Sequence, residues 1–245
     1  MTTNQIVAGF SLTNRWLLYA NMMLAPAQAV SGWGSNCPSN IGFLAYNWYT
    51  QIQWFQAIQA KQLHAVSMLP VHYNTLCSLS YLGGITSGNF IMGTLLGLGT
   101  VGVMILNNVS GWVSWATNQT QGFGEYQFFF FGWRTLSPGW HKFFLVWQIS
   151  DSLETFTFAI TAMYGAIACV IAERQYREKG KTLPWWARYP ATPIGAAFML
   201  FLCWPLILWF ELIISSNNID SPTDWIAVWL FIAQVVAMLL PNCGL

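Results

Sequence analysis

Two carboxylates lie in a segment whose flanks are almost wholly apolar. Asp151 and Glu154 occur in QISDSLETF (148–156), between FFLVW and FAITAMYGAIACVIA. Their i, i+3 spacing places them on one face of a helix, and Gln148 extends that polar face by a further turn. Two neighbouring carboxylates in a low dielectric cannot both ionise cheaply. We therefore expect one of them to stay protonated and to serve as a general acid.

Other polar and aromatic side chains fall at a comparable depth in neighbouring apolar segments. Glu211 lies in WPLILWFELII, and His72 and Asn74 lie in MLPVHYNTL. An aromatic face stabilises a cation, so Trp147 and Trp209 are expected to line a cavity beside the acids. The predicted site therefore has Asp151, Glu154 and Glu211 as catalytic residues, with substrate-binding residues His72, Asn74, Trp147, Gln148 and Trp209.

The same acids also permit two interpretations without catalysis. A proton-coupled transporter loads and unloads such an acid in every cycle, and a buried acid pair can simply bridge helices. No HxxxH or HxxE pair accompanies His72, and the glycines of GTLLGLGTVG (93–102) fall within an apolar helix. We therefore expect neither a metal nor an organic cofactor, and the sequence leaves the three roles of the acids open.

The composition excludes an ordinary soluble domain. Only 7% of the 245 residues are charged, 55% are hydrophobic and the mean hydropathy is +0.45. Soluble domains carry about a quarter charged residues, so this chain lacks the groups to cover a solvated surface. With a net charge of +1 and no basic stripe, a nucleic-acid partner is not expected.

The apolar segments predict an all-α fold. A spanning helix needs about 20 predominantly apolar residues. The sequence predicts a single-domain, polytopic membrane helix bundle with seven transmembrane helices, at roughly 12–31, 41–59, 65–84, 90–116, 143–172, 192–214 and 223–242. The aromatic segment 124–142 is too short and interrupted for another span, and we expect it to be a helix lying at the interface.

The basic residues predict the orientation of the bundle. Five of the nine Lys and Arg residues crowd into ERQYREKGKTLPWWARYP, which the positive-inside rule places in the cytosol. Seven spans then put the N-terminus and the loop 117–142 on the outer side. The sequon at Asn118 would be a glycan acceptor there, whereas the one at Asn108 lies too close to the membrane.

One segment resembles a family of membrane enzymes. KQLHAVSMLPVHYNTLCSLSYL (61–82) is similar to the second-helix motif of fungal integral-membrane terpene cyclases that act on meroterpenoids, with Pro70, Asn74 and Tyr81 in corresponding places. In that family a Trp-Glu pair follows the Asn, and the Glu takes part in protonation. Cys77 and Ser78 occupy those positions here, so the family's acid does not carry over.

A second segment resembles the emopamil-binding-type sterol isomerases. DSLETFTFAIT (151–161) is similar to their acid-bearing helix, and Gln234 stands before Pro241 where that family has Asn. Both resemblances imply protonation of an alkene inside a membrane bundle.

These observations together predict a membrane-embedded terpene cyclase or isomerase. Its substrate would be a hydrophobic isoprenoid or sterol-like lipid. Its partners would be membrane lipids, no cofactor would be needed, and the sequence leaves open whether other membrane proteins bind it. The expected location is an integral, multi-pass position, with the endoplasmic reticulum as the candidate organelle. A small proton- or ion-coupled transporter and a non-catalytic subunit of a larger membrane complex are the alternatives.

Overall fold

The described part of the chain consists mainly of long helices. The computed structural model describes residues 4–5, 10–32, 38–60, 90–178 and 188–239. Within these ranges there are six helices, numbered α1 (Leu12–Gly32), α2 (Pro38–Gln59), α3 (Phe90–Val113), α4 (Pro138–Glu178), α5 (Arg188–Ser216) and α6 (Trp225–Leu239). The prediction of an all-α fold is confirmed at this level.

Four short strands accompany the helices in the described ranges. β1 (Asn4–Gln5) pairs in parallel with β4 (Ile219–Asp220), and β2 (Gln127–Phe129) forms an antiparallel hairpin with β3 (Trp133–Thr135). These strands are too short to form a layer of their own.

The helices pack side by side in an order that differs from the chain order. α1 packs on α5 and α6, α2 packs on α6 and α3, and α3 packs on α4. α3 therefore lies between α2 and α4. The helices α4 and α5 stand at opposite ends of this row of contacts, but an aromatic contact between Trp147 and Trp209 joins them, with ring centroids 6.2 Å apart.

Hydrogen bonds gather several chain segments at one end of the bundle, which we call the loop end. Phe10 N donates to Ser221 Oγ at 3.0 Å, close to the β1–β4 pairing. Gln127 N donates to Asn217 Oδ1 at 2.8 Å, and Asn118 Nδ2 donates to the carbonyl of Ile58 at 3.3 Å. The N-terminal segment, the end of α2, the hairpin and the residues after α5 are thus neighbours.

The segment 124–142 differs from its prediction. It forms the β2–β3 hairpin and the first turns of α4, and no interfacial helix spans it. The turn of the hairpin needs two residues with positive φ, Phe131 at 49° and Gly132 at 132°, and a helix cannot contain them. Aromatic residues favour strands, so the run of phenylalanines in β2 supports the hairpin.

Two described helical stretches are long and apolar enough to cross a membrane, Thr94–Gly122 and Pro193–Ser216. Trp225–Met238 is apolar but shorter. The predicted windows 12–31, 41–59 and 143–172 are also helical. The two described stretches do not by themselves make up the seven predicted spans. The window 65–84 lies outside the described residues.

Several polar side chains are buried together with the apolar core of the bundle, and many other large apolar side chains are exposed on its outside. Gln234 Nε2 donates to Asn21 Oδ1 at 2.6 Å, and Asn21 Nδ2 donates to Asn47 Oδ1 at 3.2 Å, so three buried amides join α1, α2 and α6. In contrast, Phe201 is 74% exposed and Leu153 is 66% exposed. Apolar surfaces of this extent mark a lipid or protein contact.

Candidate functional site

A groove between α4 and α5 holds two of the three predicted acids. Its volume is about 460 Å³, and Asp151 and Glu154 share its wall with Trp147 and Trp209. Phe143, Val146, Ser150 and Leu206 complete the lining, and we call this space the acid groove. The structure therefore brings together four of the predicted site residues.

Asp151 stands at the inner edge of the acid groove. Its residue is only 9% exposed, and Asn108 on α3 donates from Nδ2 to Asp151 Oδ2 at 3.3 Å. The same Nδ2 lies 3.1 Å from Ser152 Oγ, which also accepts from Trp112 Nε1 at 2.8 Å. Because one side chain of α3 contacts two successive residues of α4, the direction of the Asp151 carboxylate is fixed across the helix interface.

Glu154 occupies a different environment on the same wall. It is exposed, and none of the described residues forms a hydrogen bond with its carboxylate. It lies three residues after Asp151, so the two acids line the groove one helical turn apart. The pair thus combines one carboxylate held by an amide with one that is free to reach a molecule in the groove.

Aromatic side chains form the end of the acid groove nearest the hairpin. Trp209 Nε1 donates to the carbonyl of Phe129 in β2 at 2.8 Å. Phe143 contacts Trp147 with ring centroids 6.4 Å apart, and it also contacts Phe130 at 5.4 Å. The hairpin therefore fixes the orientation of the Trp209 ring, which presents an aromatic surface beside the acids.

Gln148 does not line the acid groove. Its residue is fully buried, and neither side-chain polar atom has a hydrogen-bond partner among the described residues. Its backbone carbonyl accepts from Ser152 Oγ at 2.8 Å. The sequence predicted that Gln148 contacts a bound substrate. Its side chain instead turns toward the bundle interior, so this placement does not support contact with a molecule in the acid groove.

Glu211 also lies apart from the acid groove. Its carboxylate accepts from Arg15 Nε at 2.7 Å and Arg15 Nη2 at 3.0 Å, and the Tyr19 hydroxyl donates to Oε1 at 2.5 Å. These contacts join α5 to α1. The predicted convergence of Glu211 with Asp151 and Glu154 is absent from the described structure, because Glu211 projects from a face of α5 that packs on α1.

Two further predicted site residues, His72 and Asn74, lie outside the described residues. Among the residues that the structure does describe, no group of three or more His, Cys, Asp or Glu side chains is arranged to hold a metal ion.

The sequence missed the residues that position Asp151. Asn108 was singled out only as part of a sequon, and Ser152 and Trp112 carried no signal of their own. An available clue was the polarity of Asn108 within an otherwise apolar helix, which is costly in lipid unless a neighbouring helix provides a partner.

The second sequon does not present a glycan acceptor in this fold. Asn118 is fully buried, and its Nδ2 donates to the carbonyl of Ile58. A surface site was expected from the loop prediction, but the chain here forms a π-helical turn (Ser114–Asn118) that continues α3 and turns the amide inward.

Two titratable groups near the loop end have shifted pKa values. Burial raises the pKa of the Tyr126 hydroxyl well above its usual value, and that hydroxyl has no hydrogen-bond partner among the described residues. Burial lowers the pKa of His141, whose ring stacks on Trp115 with centroids 4.6 Å apart. His141 Nδ1 lies 2.9 Å from Gln119 Oε1. Both groups favour their neutral forms.

Comparison with known proteins identifies no relative of this chain, so the function of the acid groove has to be inferred from its geometry. No protein-family model matches this chain, and neither a curated protein nor a solved structure matches it.

Proposed function

We propose that this protein is a membrane-embedded cyclase or isomerase that protonates an alkene of a prenylated or sterol-like lipid. The observation that carries the proposal is the acid groove, where Asp151 and Glu154 share one wall with Trp147 and Trp209. Alkene protonation creates a carbocation, and aromatic faces stabilise a cation through the ring quadrupole. A proton donor beside such faces suits this chemistry.

The environments of the two acids suggest separate roles. Glu154 is the proposed acid, because its exposed carboxyl is free to approach a bound alkene. Its proton forms a new C–H bond with the π electrons and leaves a carbocation on the adjacent carbon. Asp151, held as an acceptor by Asn108, takes the proton that is lost when the final alkene forms. One proton enters and one leaves, so no redox partner is required.

The same proposal includes the position of the protein in a membrane. The apolar exterior and the two long apolar helical stretches support membrane insertion. We propose a multi-pass arrangement with seven spans, in which α1 and α2 cross the membrane and bury their polar residues against other helices. The endoplasmic reticulum is the organelle in which tagged protein should be sought first.

Deuterium incorporation tests the proposed reaction. Membranes containing the protein are incubated in deuterium oxide, and the lipid extract is compared by mass spectrometry among the wild type, Asp151→Asn and Glu154→Gln. We expect an isoprenoid or sterol that gains deuterium with the wild type and accumulates unchanged with either variant. Glu178→Gln is the matched control, because Glu178 is an exposed acid on the same helix outside the groove. Incorporation that is the same in all four proteins would rule the reaction out.

A row of buried polar residues on α3 favours a second candidate, proton-coupled transport. Asn107, Ser110, Ser114 and Asn118 recur at helical spacing on the buried face of α3 and its π-helical continuation. A row of buried polar side chains along one helix face suits a proton path. Proton flux in liposomes that is lost in Asp151→Asn, without any lipid conversion by the wild type, would favour transport over catalysis.

A further inference from the structure

A second groove lies on the opposite side of α4 from the acid groove. It runs between α3 and α4, has a volume of about 480 Å³ and contains no charged side chain in its described lining. Ile105 and Val109 of α3 face Phe156 and Ile160 of α4 across it. Successive residues of an α-helix are rotated by about 100° around the helix axis. The groove residues Ser152, Phe156 and Ala159 therefore lie on one face of α4. The acid-groove residues Val146, Ser150 and Glu154 lie on the opposite face.

One end of this second groove is polar. Asn108, Ser152 and Thr155 lie there together, in a lining that is otherwise apolar. Asn108 Nδ2 is 3.1 Å from Ser152 Oγ, and the Asn108 carbonyl oxygen is 3.3 Å from the same hydroxyl. A carbonyl oxygen accepts two hydrogen bonds, so Asn108 Oδ1 retains capacity for another donor.

Thr155 differs from the other threonines of α4. Thr157 Oγ1 donates to the carbonyl of Leu153 at 2.8 Å, and Thr161 Oγ1 donates to the carbonyl of Thr157 at 2.8 Å. Thr155 Oγ1 forms no hydrogen bond with any described residue, although its side chain lines the groove. A hydroxyl without a partner at the polar end of an apolar groove suits a ligand that carries one complementary polar group.

We propose that this second groove binds a sterol, with the sterol hydroxyl at Thr155 and Asn108 and the ring system against Ile105, Phe156 and Ile160. The absence of charge in the described lining disfavours a phosphate headgroup, and the volume lies within the range of about 300–1,000 Å³ that is usual for small-molecule sites. The aliphatic and aromatic walls suit a flat ring system, while the polar end suits a single hydroxyl.

The site is distinct from the acid groove but joined to it. Asn108, which would contact the sterol hydroxyl, also donates to Asp151 Oδ2 in the acid groove. Sterol binding itself does not need the reaction proposed above, so the two proposals can fail separately.

Photocrosslinking of cholesterol tests the assignment. The full chain is placed in phosphatidylcholine nanodiscs that contain a diazirine-bearing cholesterol, and crosslinked peptides are identified by mass spectrometry. We expect labelling of α3 and α4 around Ile105 and Phe156 that unlabelled cholesterol displaces and cholesterol methyl ether displaces poorly. Glu154→Gln should retain this labelling whatever its effect on lipid conversion, because the Glu154 carboxylate forms no hydrogen bond with Asn108 or with any other described residue.

Matched variants test the polar end and the space. Thr155→Val should weaken the labelling by about three- to ten-fold, the loss expected for one hydrogen bond. Thr157→Val should leave it unchanged, because Thr157 bonds its own helix outside the groove. Ala159→Phe should block the groove, with circular dichroism checking that it remains folded. Equal labelling of wild type, Thr155→Val and Ala159→Phe, or equal displacement by the methyl ether, would overturn the proposal and indicate unspecific lipid contact.

Discussion

The ion pair between Arg15 and Glu211 provides the sharpest test of how this bundle is held together. Glu211 accepts from Arg15 Nε and Nη2 and from the Tyr19 hydroxyl, and Arg15 Nη1 also donates to the carbonyl of Phe10 at 2.5 Å. Glu211→Gln removes the negative charge and places an amide donor near the donors of Arg15. We therefore expect this variant to weaken the contact between α1 and α5.

The expected loss follows from the burial of the two side chains. The Arg15 side chain is 10% exposed and the Glu211 side chain is 31% exposed. Breaking a buried pair costs about 3–5 kcal/mol, whereas an exposed pair is worth about 0.2–1 kcal/mol. The partial exposure of Glu211 places it between these limits, so Glu211→Gln should lower the free energy of unfolding by about 2 kcal/mol.

Equilibrium unfolding by sodium dodecyl sulfate in mixed micelles measures this loss. Arg15→Met and the double variant complete a thermodynamic cycle, for which we expect a coupling of about 1–2 kcal/mol. Glu178→Gln is the control for removing a charge, because the Arg174–Glu178 pair is 84% and 65% exposed and spans one helical turn. That control should change the stability by less than about 0.5 kcal/mol.

Two results would refute this reasoning. If Glu211→Gln lost no more stability than Glu178→Gln, the short distances would not reflect a stabilising pair. If Glu211→Gln kept full stability but abolished deuterium incorporation into lipid, Glu211 would belong to the reaction as the sequence first indicated. Loss of stability with retained incorporation supports the structural role.

Three further predictions concern residues near the loop end. Asp224→Ala should destabilise the protein by about 1 kcal/mol, measured by the same unfolding assay, because its Oδ1 accepts from the Ile226 and Ala227 amides at the start of α6. Burial lowers the pKa of His141, so the unfolded chain binds a proton at a higher pH than the folded protein does. We therefore expect no loss of stability from His141 above about pH 6.5, and a growing loss as the pH falls from there toward the folded-state pKa. Thermal unfolding between pH 8 and pH 5 checks this, and His141→Phe should reduce the dependence. Tyr126→Phe removes a buried hydroxyl that has no hydrogen-bond partner among the described residues. The free energy of unfolding should therefore stay unchanged or rise by up to about 1–3 kcal/mol. A clear decrease would reveal a hydrogen bond to that hydroxyl.

The acid groove could be predicted only in part from the sequence. The spacing of Asp151 and Glu154 placed them on one helical face, and their cost in an apolar segment marked them for attention. Their approach to Trp209 depends on how α4 meets α5, which no local pattern encodes. Gln148 shows the limit of this method, because it extends the polar face along the helix yet turns into the bundle interior.

Composition and periodicity by themselves determined the class of this protein and the positions of most of its helices, since both depend on the chemistry of consecutive residues. The sequence analysis missed the hairpin, because its turn needs positive φ at Phe131 and Gly132. A run of aromatic residues does not predict that backbone conformation. Tertiary structure alone decided the partners of the polar residues. Arg15 meets Glu211 across 196 positions of sequence, and Asn108 meets Asp151 across 43. Such pairs arise from the order in which the helices pack, and that order is a property of the whole bundle.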